Sequence, residues 1–482
     1  KYMSAYKKRG FWIGLALFFI ILLLPSPAEL SANAWKVAAV AVLMATWWAT
    51  ESIPVPVTAL LPLALFPLLG IVDFKTAAVP YSNPNIYLFL GGFIIALAIE
   101  ASGLHKRMAL SMILYVGKNA PSLIGGFMLV AALISMFVMN TSTTLMLLPI
   151  GLAVCGVVSE TIPGLTDLKK KYFDTALLLG IAYAATLGGM STLIGTAPNI
   201  VFRAFMEETY NIEISMVDWM MMGVPLSAIM LVIAWIVLTK FVFPVNFITS
   251  KETKEHLKTM LFDLGPMSKD EKKVLFVFSF AVLAWMTRSY LIELDFLSGL
   301  TDAGIAIIAA ILFFIIPSST ANRDILKWEK SKELPWGLLL LFGGGLSLAA
   351  QISSTGLGLW IGNSLLALQG VPNLILIFAV ATMIIFLTEI TSNVTTTTTF
   401  LPVFGGIAVA IGVLPVSLTI PVCLAASCAF MLPVATPPNA IVYGSNKFTI
   451  ATMIKAGFIL NIFGIIVVTA FSYLIAPMIF QG

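Results

Sequence analysis

Charged residues are scarce in this chain. Of its 482 residues only 10% are Asp, Glu, Lys or Arg, whereas 59% are hydrophobic, and the mean hydropathy is +1.01. Soluble domains carry about 25% charged residues, so the composition excludes an ordinary soluble protein and indicates an integral membrane protein. A backbone in lipid must satisfy its own hydrogen bonds, which favours an all-α membrane protein. The net charge of +4 is too small and too scattered to suggest nucleic acid as a partner.

Cysteine and histidine are also rare. The three cysteines, Cys155, Cys423 and Cys428, lie in apolar segments without metal-ligand spacing, so we interpret them as small core residues. The two histidines, His105 and His256, lie in charged segments that we expect to be solvated. The sequence also lacks an HExxH motif, a paired Asp cluster and a Ser-His arrangement within the apolar core. These absences argue against an intramembrane enzyme, and we predict that the chain is not an enzyme.

Long apolar runs, in contrast, are abundant. A run of about 17 to 25 apolar residues has the length that crosses a bilayer as a helix. The first run follows a basic segment, as in a signal peptide, but it lacks a small-residue cleavage site, so we interpret it as a transmembrane helix. On this basis we predict about eleven transmembrane helices, near 10–27, 31–50, 55–72, 84–104, 175–206, 217–242, 274–292, 302–317, 335–353, 417–444 and 451–479.

Two further apolar stretches, 119–157 and 371–413, are interrupted in the middle by polar clusters. We interpret each as a re-entrant hairpin that enters and leaves the membrane on one side. With eleven crossings and a cytoplasmic N-terminus, the positive-inside rule is satisfied. The basic segments that then lie on the cytoplasmic side include 7–9, 105–107, 169–171 and 250–273. We therefore predict a multi-pass protein of the cell membrane with its C-terminus outside.

The second half of the chain repeats the first at three places in the same order. YLFLGGFIIALAIEASGL (87–104) resembles LLLFGGGLSLAAQISSTGL (339–357), and MNTSTTLMLLPI (139–150) resembles SNVTTTTTFLPV (392–403). GGMSTLIGTAPNIV (188–201) resembles FMLPVATPPNAIV (430–442). The predicted crossings give the two halves opposite orientations, which is typical of transporters with inverted-topology repeats. Such repeats favour an alternating-access transporter over a channel.

Glycine and proline interrupt two of the predicted spans. GTAPN (195–199) contains one of each and ATPPN (435–439) contains two prolines, and each motif lies downstream of a polar hairpin tip. A lone interruption of this kind is usually a kink, but here both recur at equivalent positions. We therefore predict two discontinuous helices whose unwound backbone faces a shared cavity.

The predicted site consists of neutral groups. The tips carry residues 140–144 and residues 392, 393 and 395–399, whereas the one charged residue between positions 371 and 446 is Glu389. Hydroxyls, amides and helix N-termini stabilise anions, and amide and carbonyl oxygens suit a small cation such as sodium. We expect Thr397 and Thr399 to bond to helix carbonyls instead. Glu389 is either a proton-coupling group or a brace for the hairpin through backbone hydrogen bonds.

At these residues the chain resembles the divalent anion–sodium symporters, also called INDY-type dicarboxylate transporters, over nearly its whole length. The resemblance rests on the LFLGGF and LLLFGGG segments, the two hairpin tips and ATPPNAIV. It implies an elevator-type fold and a homodimer in membrane lipid that imports C4-dicarboxylates such as succinate, malate or fumarate. Sodium ions would be co-transported. Citrate symport, sulfate symport and sodium-independent dicarboxylate exchange remain alternatives.

The family motif implies ligands at the matching positions of this sequence. The first sodium site would use Ser135, Asn140 and the Gly195 carbonyl, and the second Thr388, Asn393 and the Ala435 carbonyl. The residues implied to contact the substrate are Asn140, Thr141, Thr196, Ser392, Asn393, Thr436 and Pro437. The tips depart from the family's Ser-Asn-Thr pattern at Met139 and Val394. We therefore expect weaker sodium binding at the first site, unless Ser142 or Thr143 compensates, and an effect of Val394 on substrate preference.

These observations divide the chain into five parts. Residues 1–83 are N-terminal helices, mainly scaffold, and 274–334 are further scaffold helices. Residues 84–246 form the first repeat, with hairpin 119–157 and broken helix 175–206. Residues 335–482 form the second repeat, with hairpin 371–413 and broken helix 417–444. Between them, 247–273 is a cytoplasmic connector, and 105–118 reads as an amphipathic surface helix that joins moving and fixed parts.

Overall fold

The computed structural model describes residues 5–116, 118–162, 165–319, 324–364 and 370–480. Within these ranges regular structure is helical, apart from two isolated β-bridges. The α-helices are α1 (Ala5–Leu23), α2 (Ala32–Thr50), α3 (Val55–Thr58), α4 (Leu61–Leu68), α5 (Phe74–Ala78), α6 (Pro84–Ser102), α7 (Leu104–Val116), α8 (Ala120–Ser135), α9 (Asn140–Thr161), α10 (Asp167–Gly189), α11 (Ala197–Tyr210), α12 (Met216–Ile236), α13 (Lys251–Asp263), α14 (Lys269–Leu291), α15 (Asp302–Ile315), α16 (Trp336–Ser354), α17 (Leu357–Asn363), α18 (Asn373–Thr388), α19 (Asn393–Ile411), α20 (Pro415–Ala426), α21 (Pro437–Tyr443), α22 (Ile450–Ala470) and α23 (Ala476–Ile479).

Seven helical segments in the described ranges are long and apolar enough to cross a membrane. They are Phe74–Ser102, Asn140–Thr161, Met216–Val242, Lys269–Leu291, Trp336–Ser354, Asn393–Ile411 and Ile450–Ile479. Two of the seven are second arms of the predicted hairpins, and several predicted spans are shorter helices here, such as Asp302–Ile315. The all-α prediction is confirmed, whereas the count of eleven crossings stays a prediction.

Helices α8 and α9 form a hairpin around α10. Gly180 of α10 packs against Met128 of α8, and Gly188, further along α10, packs against Ala132, so α8 and α10 run in the same direction. Asn140, at the start of α9, instead lies beside Gly189 at the end of α10. Consequently α9 runs against α10 and antiparallel to α8.

The two ends of this hairpin lie together. Ala120 N donates to Phe247 O at 2.9 Å, and Thr161 Oγ1 lies 2.9 Å from Ser250 Oγ. The chain thus enters and leaves the hairpin at one place, beside residues 247–250, and the re-entrant course of the hairpin stays a prediction.

Helices α18 and α19 repeat this arrangement around α20. Thr388 Oγ1, at the end of α18, donates to Ala426 O at the end of α20, at 2.8 Å. Helix α19 then returns to the beginning of α20 through Gly412, which has the left-handed φ of 81° that favours glycine. Each hairpin tip therefore lies at the C-terminal end of the helix around which the hairpin packs, α10 in the first repeat and α20 in the second.

The helices α10 and α20 both stop at these tips. The chain is non-helical at 190–196 before α11 and at 427–436 before α21, as predicted for two discontinuous helices. From Thr175 to Gly189 every residue of α10 is buried, because α8, α9 and α12 surround it. The N-terminal helices α1, α2 and α4 contribute to a separate hydrophobic cluster with α16 and α17.

One expectation about the surface is wrong. His105 is buried rather than solvated, and its Nδ1 lies 3.0 Å from Ile99 O. Burial lowers the pKa of the His105 imidazole, which favours its neutral form.

The three cysteines are buried, as expected. The connector contains α13, an exposed helix whose Thr253 and Leu257 face the protein.

The close packing of α8 on α10 gives a first prediction. A methyl group at Gly188 would overlap the backbone of Ala132, so Gly188→Ala forces the two helices apart. We expect it to lower the free energy of unfolding by about 1–3 kcal/mol, the cost of overpacking. The midpoint of thermal unfolding in detergent measures this. Gly156→Ala in α9 is the control, because no atom would lie within 4 Å of the new methyl group. Equal midpoints for the two variants would contradict the prediction.

Candidate functional site

The two hairpin tips and the two helix breaks meet at one cavity of about 750 Å³. All seven residues implied to contact substrate line this cavity: Asn140, Thr141, Thr196, Ser392, Asn393, Thr436 and Pro437. Gly195 and Ala435 also line it, whereas Ser135 and Thr388 lie buried behind the tips. The structure therefore brings together residues from opposite halves of the chain, as the predicted shared cavity requires.

Four helices begin at this cavity. They are α9 at Asn140, α11 at Ala197, α19 at Asn393 and α21 at Pro437. The N-cap residues of the first three, Met139, Thr196 and Ser392, make no side-chain hydrogen bond to their helix. First-turn N–H groups of α9 and α19 therefore remain available to a ligand, and the positive ends of the helix dipoles face the cavity. Helix α11 offers Ala197 N, because Pro198 has no N–H group and Asn199 N donates to Thr196 O at 3.3 Å.

Helix α21 contributes less to this anion-binding surface. Its N-cap Thr436 already accepts a hydrogen bond from Asn439 N. Its first two residues are Pro437 and Pro438, which have no N–H group. Donors for an anion therefore come mainly from the two tips and from α11.

Oxygen atoms converge behind the first tip. One terminal atom of the Asn140 amide lies 2.7 Å from Ser135 Oγ, 3.1 Å from Ala185 O and 3.2 Å from Gly195 O. With the amide nitrogen in this place, Asn140 donates to the other three groups. With the amide oxygen there, three further oxygens lie within 3.2 Å of it, and oxygen is the ligand type that hard cations take. Sequence reasoning missed Ala185, because no side chain marks a backbone carbonyl as a ligand.

The second tip has an equivalent cluster. Thr388 Oγ1 lies 2.9 Å from Asn393 Oδ1 and 2.8 Å from Ala426 O. In both tips a hydroxyl residue precedes the asparagine by five positions, and its side chain contacts the asparagine amide. The two clusters thus place hydroxyl, amide and carbonyl oxygens at matching places in the two repeats.

Two buried asparagines hold the breaks in shape. Asn199 Nδ2 donates to Thr192 O at 2.7 Å, and Asn439 Nδ2 donates to Ala429 O at 3.0 Å and to Leu432 O at 3.1 Å. Both side chains are fully buried. These carbonyls have left the helical ladder, so the amides replace partners that an unbroken helix would supply. Sequence reasoning missed this role, although the asparagines end the GTAPN and ATPPN motifs.

Glu389 fixes the second break. Its Oε1 accepts from Phe430 N at 2.8 Å and from Met431 N at 2.9 Å, and its Oε2 accepts from Leu432 N at 3.1 Å. Asn461 Nδ2 donates to Oε1 at 2.7 Å. These contacts favour the interpretation of Glu389 as a brace over its interpretation as a proton-coupling group. The brace joins the hairpin to the broken helix.

The first repeat achieves the same connection without a charge. Met136 precedes Asn140 by four residues, as Glu389 precedes Asn393, and its carbonyl accepts from Thr192 Oγ1 in the first break. Thr192 Oγ1 in turn accepts from Gly195 N at 3.0 Å. Each tip is therefore bonded to its own break, but by different chemistry in the two repeats.

The two departures from the tip pattern, Met139 and Val394, both line the cavity. Neither suggested replacement for the missing hydroxyl does so. Ser142 lines a different cavity of about 630 Å³, and Thr143 Oγ1 is buried without a hydrogen-bond partner in the described structure. Thr397 bonds to the Asn393 carbonyl at 2.8 Å, as expected of a packing threonine. For Thr399 the expectation stays a prediction.

Comparisons with known proteins agree over nearly the whole chain. Residues 7–480 match the family described as the sodium:sulfate symporter transmembrane region. The chain is 40% identical over 472 residues to a protein of Staphylococcus saprophyticus named sodium-dependent dicarboxylate transporter SdcS, covering 97% of this chain and 91% of that protein. The SdcS of Staphylococcus aureus strain USA300 is 40% identical over 487 residues, with 99% and 93% covered.

Two solved structures share the fold. One is Neisseria gonorrhoeae MtrF, described as illuminating a class of antimetabolite efflux pumps, with a TM-score of 0.61 and 14% identity over 98% of this chain and 95% of that one. The other is the Alcanivorax borkumensis YdaH transporter, with a TM-score of 0.53 and 12% identity over 98% and 97%. At these identities the likeness concerns the fold alone.

Glu389→Gln tests the brace. A glutamine places an NH₂ group against backbone N–H groups that now donate to a carboxylate, so at least one donor loses its acceptor. We expect a loss of about 1–3 kcal/mol in the free energy of unfolding, seen as a lower thermal midpoint in detergent. Glu160→Gln makes the same change at an exposed position and should leave the midpoint unchanged. An unchanged midpoint for Glu389→Gln, with transport that no longer depends on pH, would instead identify a proton-coupling group.

Proposed function

The chain belongs to the sodium:sulfate symporter family, and from this membership we propose that it is a secondary active transporter that imports C4-dicarboxylates together with sodium ions. The SdcS relatives, named sodium-dependent dicarboxylate transporters, support this substrate and this coupling ion. Within the structure, the proposal rests on the cavity at which uncapped helix N-termini and two asparagine-bearing tips meet.

We place the dicarboxylate between the tips. One carboxylate contacts Asn140 and Thr141, the other contacts Ser392 and Asn393, and Thr196, Thr436 and Pro437 complete the wall. N–H groups at the starts of α9, α11 and α19 add donors for the carboxylate oxygens. Neutral donors of this kind hold an anion without the strong attraction of a fixed positive charge, which favours release.

We place one sodium ion at each oxygen cluster. The first would contact Ser135, Asn140 and the Gly195 carbonyl, with the Ala185 carbonyl as a further oxygen. The second would contact Thr388, Asn393 and the Ala435 carbonyl. In the described part of the chain, the charged residues that line the cavity are Lys7 and Glu51, which pair with each other at 3.1 Å. Sodium ions beside the substrate would therefore supply the charge compensation that the cavity wall does not.

The proposed topology follows the basic residues. The N-terminus is cytoplasmic, about eleven helices cross the membrane, the hairpins are re-entrant, and the C-terminus lies outside. Because Tyr6, Lys7 and Glu51 border the cavity, it opens toward the cytoplasm in this conformation. We further propose a homodimer in lipid in which the hairpins and broken helices move like an elevator against the scaffold helices of 1–83 and 274–334.

Uptake of radiolabelled succinate into proteoliposomes tests this function. We expect accumulation that requires an inward sodium gradient and that a pH gradient alone does not drive. Asn393→Ala should reduce uptake to background while the protein stays folded, since it removes a substrate donor and a cation ligand together. Thr382→Ala, on the exposed side of α18, is the matched control. Succinate exchange without sodium, or sodium-driven uptake of sulfate or citrate instead, would replace the proposal by one of those alternatives.

Met139→Ser tests the departure at the first tip. A thioether is a poor ligand for a hard cation and cannot donate to a carboxylate. The serine would restore the pattern of Ser392, the N-cap that leaves the first turn of α19 free. We expect the sodium concentration for half-maximal uptake to fall, whereas Val394→Thr should mainly change the preference among dicarboxylates. An unchanged sodium dependence in Met139→Ser would mean that the first site does not use this position.

A further inference from the structure

A buried group of ion pairs ties α11 to α15, which is itself paired with α14. Asp302, the first residue of α15, pairs with Arg203 of α11 through Oδ2 at 2.8 Å and with Arg288 of α14 through Oδ1 at 3.0 Å. The Asp302 side chain is 1% exposed, and the two arginines are 12% and 20% exposed. At this depth water does not replace a lost partner, so separating Arg203 from Asp302 is strongly unfavourable.

The same helix is held at two further points. Asn83 Nδ2 donates to Glu208 Oε2 at 2.6 Å, and Asn85 Nδ2 donates to Glu207 Oε2 at 2.9 Å. Asn83 is the N-cap of α6, and Asn85 lies in the first turn of that helix. Helix α11 is thus attached through three of its charged residues.

The attachment points belong to one packed group. Gly91 of α6 packs against Ala306 of α15, and Trp285 Nε1 of α14 donates to Asp302 O at 3.0 Å. We call the contacts of Arg203, Glu207 and Glu208 with α6 and α15 the α11 attachment. The N-terminal end of α11 lies at the cavity wall, where the helix begins with Ala197. The attachment therefore acts on a helix that forms part of the cavity.

The second repeat has no equivalent attachment in the described residues. Its matching helix, α21, contains no charged residue. The next charged side chain along the chain, Lys447, pairs at 3.2 Å with Asp174 of α10, one of the helices that carry the site. The two repeats therefore differ in this conformation: one broken helix is bonded to α6 and α15, and the other is not.

We propose that the α11 attachment is a latch that stabilises the conformation in which the cavity opens beside Lys7 and Glu51. The inference rests on the proposed function, because a transporter exposes its cavity to each side of the membrane in turn. When α11 moves relative to α6, α14 and α15, the Arg203–Asp302 pair and both amide contacts break together. Weakening them shifts the population toward the conformation that opens on the opposite side.

Cysteine labelling tests the latch. Val434 lines the cavity and is 78% exposed, whereas the three native cysteines are buried, so a membrane-impermeant maleimide reports on a Val434→Cys variant. The full chain is labelled in membrane vesicles of both orientations at fixed sodium. Arg203→Met leaves the Asp302–Arg288 pair intact and removes only the link to α11. We expect slower labelling from the side of Lys7 and faster labelling from the other side, each by about threefold or more.

The control is Lys447→Met, which removes an ion pair within the site-bearing helices and should leave both labelling rates unchanged. If Arg203→Met fails to fold, the same labelling experiment is done with the double variant Glu207→Gln and Glu208→Gln. This variant keeps side-chain size and weakens the two amide contacts, so the same change in labelling rates is expected. Unchanged labelling rates, or faster labelling from the side of Lys7, would overturn the latch. Labelling needs no substrate, so absence of succinate uptake would disprove the proposed function without disproving the latch.

Discussion

The site depends on how unwound backbone is satisfied inside an apolar protein. A peptide group that leaves the helical ladder away from water needs another partner, and an unmet group costs about as much as a lost hydrogen bond. Asn199 and Asn439 serve the carbonyls of the two breaks, and Glu389 serves three N–H groups of the second. These partners fix the breaks. The backbone therefore stays at the cavity in both repeats, at Gly195 and the start of α11 and at Ala435 and the start of α21.

Much of this arrangement could be predicted from the sequence. Polar residues such as Asn140 and Asn393 stand out in apolar surroundings, and their recurrence in two similar segments indicates a common place in two repeats. Proline marks the breaks because it weakens a helix and recurs at equivalent positions of the two repeats, in GTAPN and in ATPPN. The hairpins, the interrupted helices and the convergence of the polar tip residues on one cavity followed from these local signals.

Other features could not be predicted, because they depend on which segments become neighbours. Nothing in the sequence marks the Ala185 carbonyl as a neighbour of Asn140. The burial of His105 depends on the helices packed around it, whereas its neighbours along the chain are charged. The partners of Glu389 lie 41 to 72 residues away in the chain, so its two interpretations could not be separated without coordinates.

Among the described residues no fixed cation lies on the inner cavity wall, and this has an electrical consequence. With Lys7 paired at the mouth and Glu389 held permanently in the protein, the sum of the charges on the bound solutes alone distinguishes a loaded carrier from an empty one. A membrane potential acts on that sum at about 2.3 kcal/mol per charge per 100 mV. A dianion with two sodium ions crosses as a neutral set, and any additional cation makes the loaded step electrogenic. The difference in voltage sensitivity between the loaded and the empty carrier is therefore set by the summed charge of the bound solutes.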